Sequence, residues 1–140
     1  MKPIFYIILL ALTFVSCNKK QPTEPEFSEP LQKWQSQNLH NYSVDQMLSC
    51  FCLNAGETMR VVVKADTVYR VIRLKDNTVV DYKNYITIDS LFSIISRNIS
   101  DSIVVRYNDQ YGYPEFLDVN PQWHPVDGGY TYLNSNLQVQ

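Results

Sequence analysis

Met59-Arg60-Val61-Val62-Val63-Lys64-Ala65-Asp66-Thr67-Val68-Tyr69-Arg70-Val71-Ile72-Arg73-Leu74 decides the fold. β-branched residues fill both arms, and such side chains suit a pleated, half-buried surface. The polar middle, Ala65-Asp66-Thr67, interrupts the run and predicts a hairpin turn. An isolated hairpin is marginal in water, so these two strands need a wider sheet or a helix to cover them. Upstream, Tyr42 to Phe51 alternates and predicts another strand. Tyr42, Val44, Leu48 and Cys50 fall on one face, with Ser43, Asp45 and Ser49 on the other. Gln46 interrupts the apolar face and Met47 the polar one. Leu53 to Thr58 reads as a loop. Downstream, Asp76-Asn77 is a second turn and Thr78-Val79-Val80 a short extension of the hairpin.

Two helices flank this region. Ile88, Leu91, Phe92, Ile95 and Ile99 form one apolar stripe at helical spacing. Thr87 stands as the N-cap, and Asp89 sits in the first turn, where its charge suits the helix dipole. Ser28-Glu29-Pro30 opens a shorter helix, because proline loses nothing in a first turn. Leu31, Trp34 and Asn38 follow at helical spacing, and His40-Asn41 ends it. Beyond the second helix, Ile103 to Asn108, Tyr113 to Val119 and Tyr130 to Leu137 read as strands. Pro114 marks an edge or an entry point in the second of them. The expected order is α-β-β-β-α-β-β-β. The expected class is α+β, with two helices packed on one face of an antiparallel sheet.

The chain has 140 residues, enough for one domain. Net charge is −2 and the cations are scattered, so no nucleic-acid partner is expected. Compartment is read from the N-terminus. Lys2 precedes an apolar run from Ile4 to about Val15, shorter than the roughly twenty residues that span a bilayer. Such a run fits an export signal. It ends Leu12-Thr13-Phe14-Val15-Ser16-Cys17, a small residue before a cysteine, which resembles the bacterial lipobox. Phe14 departs from the leucine usual three residues before that cysteine. The resemblance implies cleavage after Ser16 and a lipid anchor on Cys17, in place of a plain secreted protein with an incidental cysteine. Residues 1–16 are then a lipoprotein signal peptide, 17–29 a lipidated tether and 30–140 a single α+β domain. The tether is polar and holds two prolines, and at ~3 Å per residue it reaches up to ~40 Å. The expected address is the bacterial cell envelope, membrane-anchored and facing the periplasm or the surface.

Several motifs resemble a known family. Asn41-Tyr42-Ser43, Ser49-Cys50-Phe51-Cys52, the valine-rich hairpin and Thr87-Ile88-Asp89-Ser90-Leu91-Phe92 come first. Val105-Arg106-Tyr107-Asn108 and Gly112-Tyr113-Pro114 follow. In this order, over about residues 34 to 120, they resemble the domain of unknown function family 6174, exported bacterial lipoproteins. Members often carry prolines after the second cysteine, where this chain has Leu53-Asn54-Ala55-Gly56. They often have Asp-Gly in the hairpin turn, where this chain has Ala65-Asp66. The resemblance implies a fold and an exported life, and no activity.

Cys50 and Cys52 are the unusual chemistry. Export places them in an oxidising compartment, and with Cys17 lipidated the remaining count is even. A disulfide needs Cα atoms within ~7 Å, so a bend at Phe51 would be required. The pair reads as a local structural disulfide, a switchable dithiol or a metal site. Only two ligands come from Cys-x-Cys, and His40 and His124 stand alone in sequence. His124 with Asp127 and Trp123 reads as a solvated loop, since no nucleophile motif accompanies it. Tyr111, Tyr113, Trp123, Tyr130 and Tyr132 lie close in sequence and would form a partner-binding patch if one sheet face stays open. Asp66-Thr67-Val68, Asp89-Ser90-Leu91 and Asp101-Ser102-Ile103 resemble Asp-Ser/Thr-aliphatic O-glycosylation sites, Thr67 foremost. No catalytic constellation, cofactor or metal is expected. The expected function is a non-catalytic binding or structural module, with the membrane and an envelope protein as partners. The alternative is a thiol redox or metal-handling protein using Cys50 and Cys52.

Overall fold

The computed structural model describes residues 28–81, 83–97, 102–122 and 128–140. The signal and tether expected over residues 1–29 lie almost wholly outside these. The elements are α1 (Ser28–Ser36), β1 (Tyr42–Ser49), β2 (Thr58–Lys64), β3 (Thr67–Arg73), β4 (Thr78–Val80), α2 (Ile88–Arg97), β5 (Ile103–Tyr107), β6 (Pro114–Val119) and β7 (Tyr130–Val139). The class is α+β, and the strands form one seven-stranded antiparallel sheet in the order β4-β3-β2-β1-β7-β6-β5.

Four strands precede α2, not the expected three. Asn77 takes a left-handed conformation (φ 58°), and the Asp76 carboxylate accepts from the Thr78 N–H and hydroxyl. The chain therefore doubles back, and Val80, Val79 and Thr78 pair with Val71, Ile72 and Arg73. The same Thr78 donors, with Arg73 behind them, hold the Asp76 carboxyl below the usual carboxylate range. α1 ends sooner than its spacing suggests. The Asn38 N–H donates to Gln35 O and Asn38 turns left-handed (φ 50°), a helix-ending conformation that asparagine tolerates.

The β2–β3 turn has two left-handed residues, Ala65 (φ 46°) and Asp66 (φ 61°), as a type I′ turn requires. Alanine there is strained, and neighbours offset the strain. The Ala65 N–H donates to Asn41 Oδ1 at 3.1 Å, and the Asp66 N–H donates to His40 O at 3.2 Å. His40 Nδ1 also lies 2.9 Å from the exposed Asp66 carboxylate.

Residues of both helices reach Tyr42. Trp34 of α1 sits edge-on to Tyr42 at 5.4 Å and to Tyr113 at 6.4 Å, and its Nε1–H donates to Asp89 Oδ1 of α2. The Tyr42 hydroxyl accepts the Ile88 N–H at 2.9 Å, which satisfies one of the free donors at the start of α2. The Thr87 hydroxyl accepts another, from Ser90. The α2 stripe Ile88, Leu91, Phe92 and Ile95 is buried, and Phe92 stacks on Tyr107. Burying these four side chains is worth roughly 6–12 kcal/mol before chain entropy is counted.

Two polar groups in β1 are buried and fully partnered. Gln46 shares the face of Tyr42 and Val44 and is completely inaccessible. Its Nε2 donates to Asn134 Oδ1 (2.8 Å) and Ile86 O (3.3 Å), and its Oε1 accepts the Ile86 N–H (3.0 Å). Asn134 Nδ2 in turn donates to Pro114 O. On the opposite face Asp45 accepts two bonds from Arg60 (2.8 and 3.0 Å) and one from Asn136 (3.0 Å). Asn136 is the left-handed residue at the β1–β7 register shift.

Buried phenols tie stability to alkaline pH. Burial pushes the Tyr42, Tyr113 and Tyr132 hydroxyls up, Tyr132 to about 12. In the unfolded chain they ionise near pH 10. Between about pH 10 and 12 the native state thus holds more protons, so stability present below pH 10 falls as pH rises through that window. Phenolate absorbance is expected to rise in two phases, the later coinciding with loss of the circular-dichroism signal. Tyr132→Phe should flatten the fall of stability with pH. One phase centred near pH 10, with the fold intact, would contradict this assignment.

Candidate functional site

β1 ends at Ser49, and the chain then bends through Cys50-Phe51-Cys52 into a turn over Leu53–Gly56. The Gly56 N–H donates to Leu48 O at 2.8 Å, and the Glu57 N–H donates to Asn54 O at 3.2 Å. Gly56 (φ 79°) and Asn54 (φ 62°) supply the left-handed residues this tight return needs. Cys50 and Cys52 are joined as a disulfide with Cα atoms 5.2 Å apart. The bend at Phe51 brings them well inside the reach of an S–S bond.

The two cysteines are half-buried against the edge of the core. The apolar side chains between and after them are not. Phe51 is 87% exposed and Leu53 90% exposed. Cys50, Phe51, Cys52 and Leu53 line an open depression of about 390 Å³. Leu53 also borders a smaller cavity of about 210 Å³ with Leu48 and Tyr85. Tyr85 is buried and its hydroxyl donates to Glu57 O, fixing that wall of the cavity against the loop. Trp34 and Phe92 do not cover the cysteines. Tyr42, the ring partner of Trp34, opens β1 at the end away from Cys50, and Tyr107, the ring partner of Phe92, lies on β5, three strands across the sheet from β1.

Of the five aromatics named from sequence, the four among the described residues do not form an open patch. Tyr113 and Tyr132 are core residues, 3% and 6% exposed. Tyr113 packs edge-on to Trp34, and the Tyr132 hydroxyl donates to Asn84 O. Tyr111 and Tyr130 are half-buried, the latter edge-on to Tyr132. Trp123, His124 and Asp127 lie outside the described residues, as does Cys17. Asp89 faces Trp34, in the dipole position expected of it. Thr67 is exposed at the hairpin.

Among the described residues no three His, Cys, Asp or Glu side chains converge as metal ligands, and no helix is long and apolar enough to cross a membrane. Phe51 and Leu53 were the residues hidden from sequence reading, because apolar side chains beside cysteines look like core. The one available signal was the Asn54-Ala55-Gly56 turn, which leaves no length of strand to bury them.

Comparison with curated proteins and with solved structures returns no match. The family model does match, over residues 26–139, from α1 through the last strand. It therefore takes in the Cys50–Cys52 loop, the β2–β3 hairpin and the Gly112-Tyr113-Pro114 turn together, and the chain belongs to the family of unknown function DUF6174.

Proposed function

We propose that the chain is a non-catalytic envelope lipoprotein, held to the membrane by a lipid on Cys17, that meets a protein partner through its Cys50–Cys52 loop. Support comes from one observation: Phe51 and Leu53 are held almost fully in water by a disulfide-closed turn. Exposed apolar side chains grouped in this way mark contact surfaces. Fixing them in advance lowers the ordering cost of binding. In this reading the two helices form one layer over the sheet. The loop projects from the end of β1 remote from Trp34 of α1, the element that follows the tether.

The test places p-benzoylphenylalanine at Phe51 of the full chain expressed in a bacterial envelope, with the same group at exposed Val139 as control. A discrete protein adduct at Phe51, absent at Val139 and lost when Leu53→Ser is added, is the expected outcome. Leu53→Ser should leave stability within about 0.5 kcal/mol. In the same cells radioactive palmitate should label the wild type and not Cys17→Ala. Equal adducts at both positions, adducts to lipid alone, or none would overturn the partner surface. Adducts running through Cys50 or Cys52 that vanish under reductant would favour the rival reading, a thiol redox or metal-handling pair. Palmitate label persisting in Cys17→Ala would overturn the anchor.

A further inference from the structure

β3 has two neighbours of unequal length. β2 pairs along it from Thr67 to Arg73, whereas β4 covers only Val71, Ile72 and Arg73. The chain leaves the sheet edge after Val80 and crosses toward α2. Among the described residues no strand lies beside Thr67–Arg70 on that edge. In an antiparallel strand alternate residues turn their N–H and C=O groups to each side. These four residues therefore offer roughly two donors and two acceptors outward.

The free edge does not face open water alone. It forms one wall of a groove of about 510 Å³. Val68, Val71 and Val80 are half-buried or buried in it, and Tyr85, Ile86 and Ser90 close the opposite wall. A volume in this range suits a small ligand or a short peptide segment. At β3 the register slips between Val62 and Val63, and Tyr69 is the extra residue. Such bulges re-aim side chains beside binding sites. The Tyr69 ring is 61% exposed, with Lys64 Nζ 4.3 Å from its centroid.

We propose that this groove binds an extended peptide, which adds to β3 as a strand in line with β4. Three features choose that occupant over a compact ligand. The wall offers backbone hydrogen-bonding groups in strand geometry, which an extended main chain complements. Val68, Val71 and Val80 give the groove an apolar lining, which accepts small apolar side chains at every second position. The groove's charges, Asp66 and Asp81 against Arg70 and Lys83, cancel, so they match a peptide with no net charge. The surface is separate from Phe51, so its failure leaves the partner loop standing.

The experiment selects from randomised peptides about seven residues long, displayed on beads, against the full chain in detergent. The best binder is resynthesised in two forms, N-methylated at odd or at even positions. The expected result is a neutral, β-branched-rich peptide with one form weakened about tenfold and the other within about twofold, because only one set of amides faces β3. Val68→Arg should weaken the parent peptide about tenfold, and Phe51→Ser should leave it unchanged. No binder tighter than about 1 mM, equal tolerance of both N-methylated forms, or loss with Phe51→Ser would overturn the proposal. The N-methylated pair is read on wild-type protein, so it decides the matter even where Val68→Arg fails to fold.

Discussion

Gly112→Ala is expected to lower the unfolding free energy by about 3 kcal/mol. Gly112 is buried at φ 81°, in the turn between β5 and β6. A Cβ there would stand 2.5 Å from Pro30 O, 3.0 Å from Lys33 Cβ and 3.3 Å from Trp34 N. Two of those neighbours are α1 backbone and cannot swing aside. The left-handed conformation costs a further 1–2 kcal/mol, roughly, for any residue with a side chain. The Lys33 ammonium, which donates to Asp109 O, would lose its register on the same turn. Thermal unfolding should fall by on the order of 10 °C, with Trp34 emission shifted toward that of solvated indole. Gly56→Ala is the control. Gly56 is equally left-handed (φ 79°) but has no atom within 4 Å of the added methyl. It should cost only about 1–2 kcal/mol. Equal losses at the two glycines would show that conformation, and not contact with α1, sets the cost.

Gln46→Leu should cost about 3–5 kcal/mol in urea denaturation, though leucine is similar in size and more apolar. The change leaves the Ile86 N–H, the Ile86 C=O and Asn134 Oδ1 without the Gln46 partner, all in or beside the core. Each buried group so abandoned costs roughly 1–3 kcal/mol, against a gain from the apolar side chain of about one. Asn134→Leu alone orphans Pro114 O and one Gln46 N–H. The double variant should therefore cost less than the two singles added, since both count the Gln46–Asn134 bond. A wild-type midpoint for Gln46→Leu would mean that water replaces the amide, and the network would lose its structural importance.

Much of the frame was legible before any coordinates. The β-branched run at residues 61–63 and the periodic apolar stripe of α2 name their own elements. What escaped was pairing at a distance. Gln46 looks like an interruption in β1 because its partner Asn134 lies 88 residues away. Only the assembled sheet shows the two opposite each other. β4 has three residues, too few for a pattern to establish itself, so the Asp76-Asn77 turn points to an extension of the hairpin and not to a strand of its own. Tyr113 and Tyr132 are amphipathic, and sequence could not say which layer would cover them. The Cys50–Cys52 pair stood out by composition, but the exposure of Phe51 and Leu53 depends on how sharply the loop turns. The free edge of β3 follows from where β4 stops, a fact about pairing and not about residue type.

β1 and β7 meet in the middle of the sheet, with β2–β4 to one side and β5–β6 to the other. The ten residues of Tyr130–Val139 therefore act as a keystone between two meanders. Ribosomal synthesis delivers that keystone after everything it must join. Until it arrives each meander keeps a bare inner margin, and Gln46 has no Asn134 to answer it.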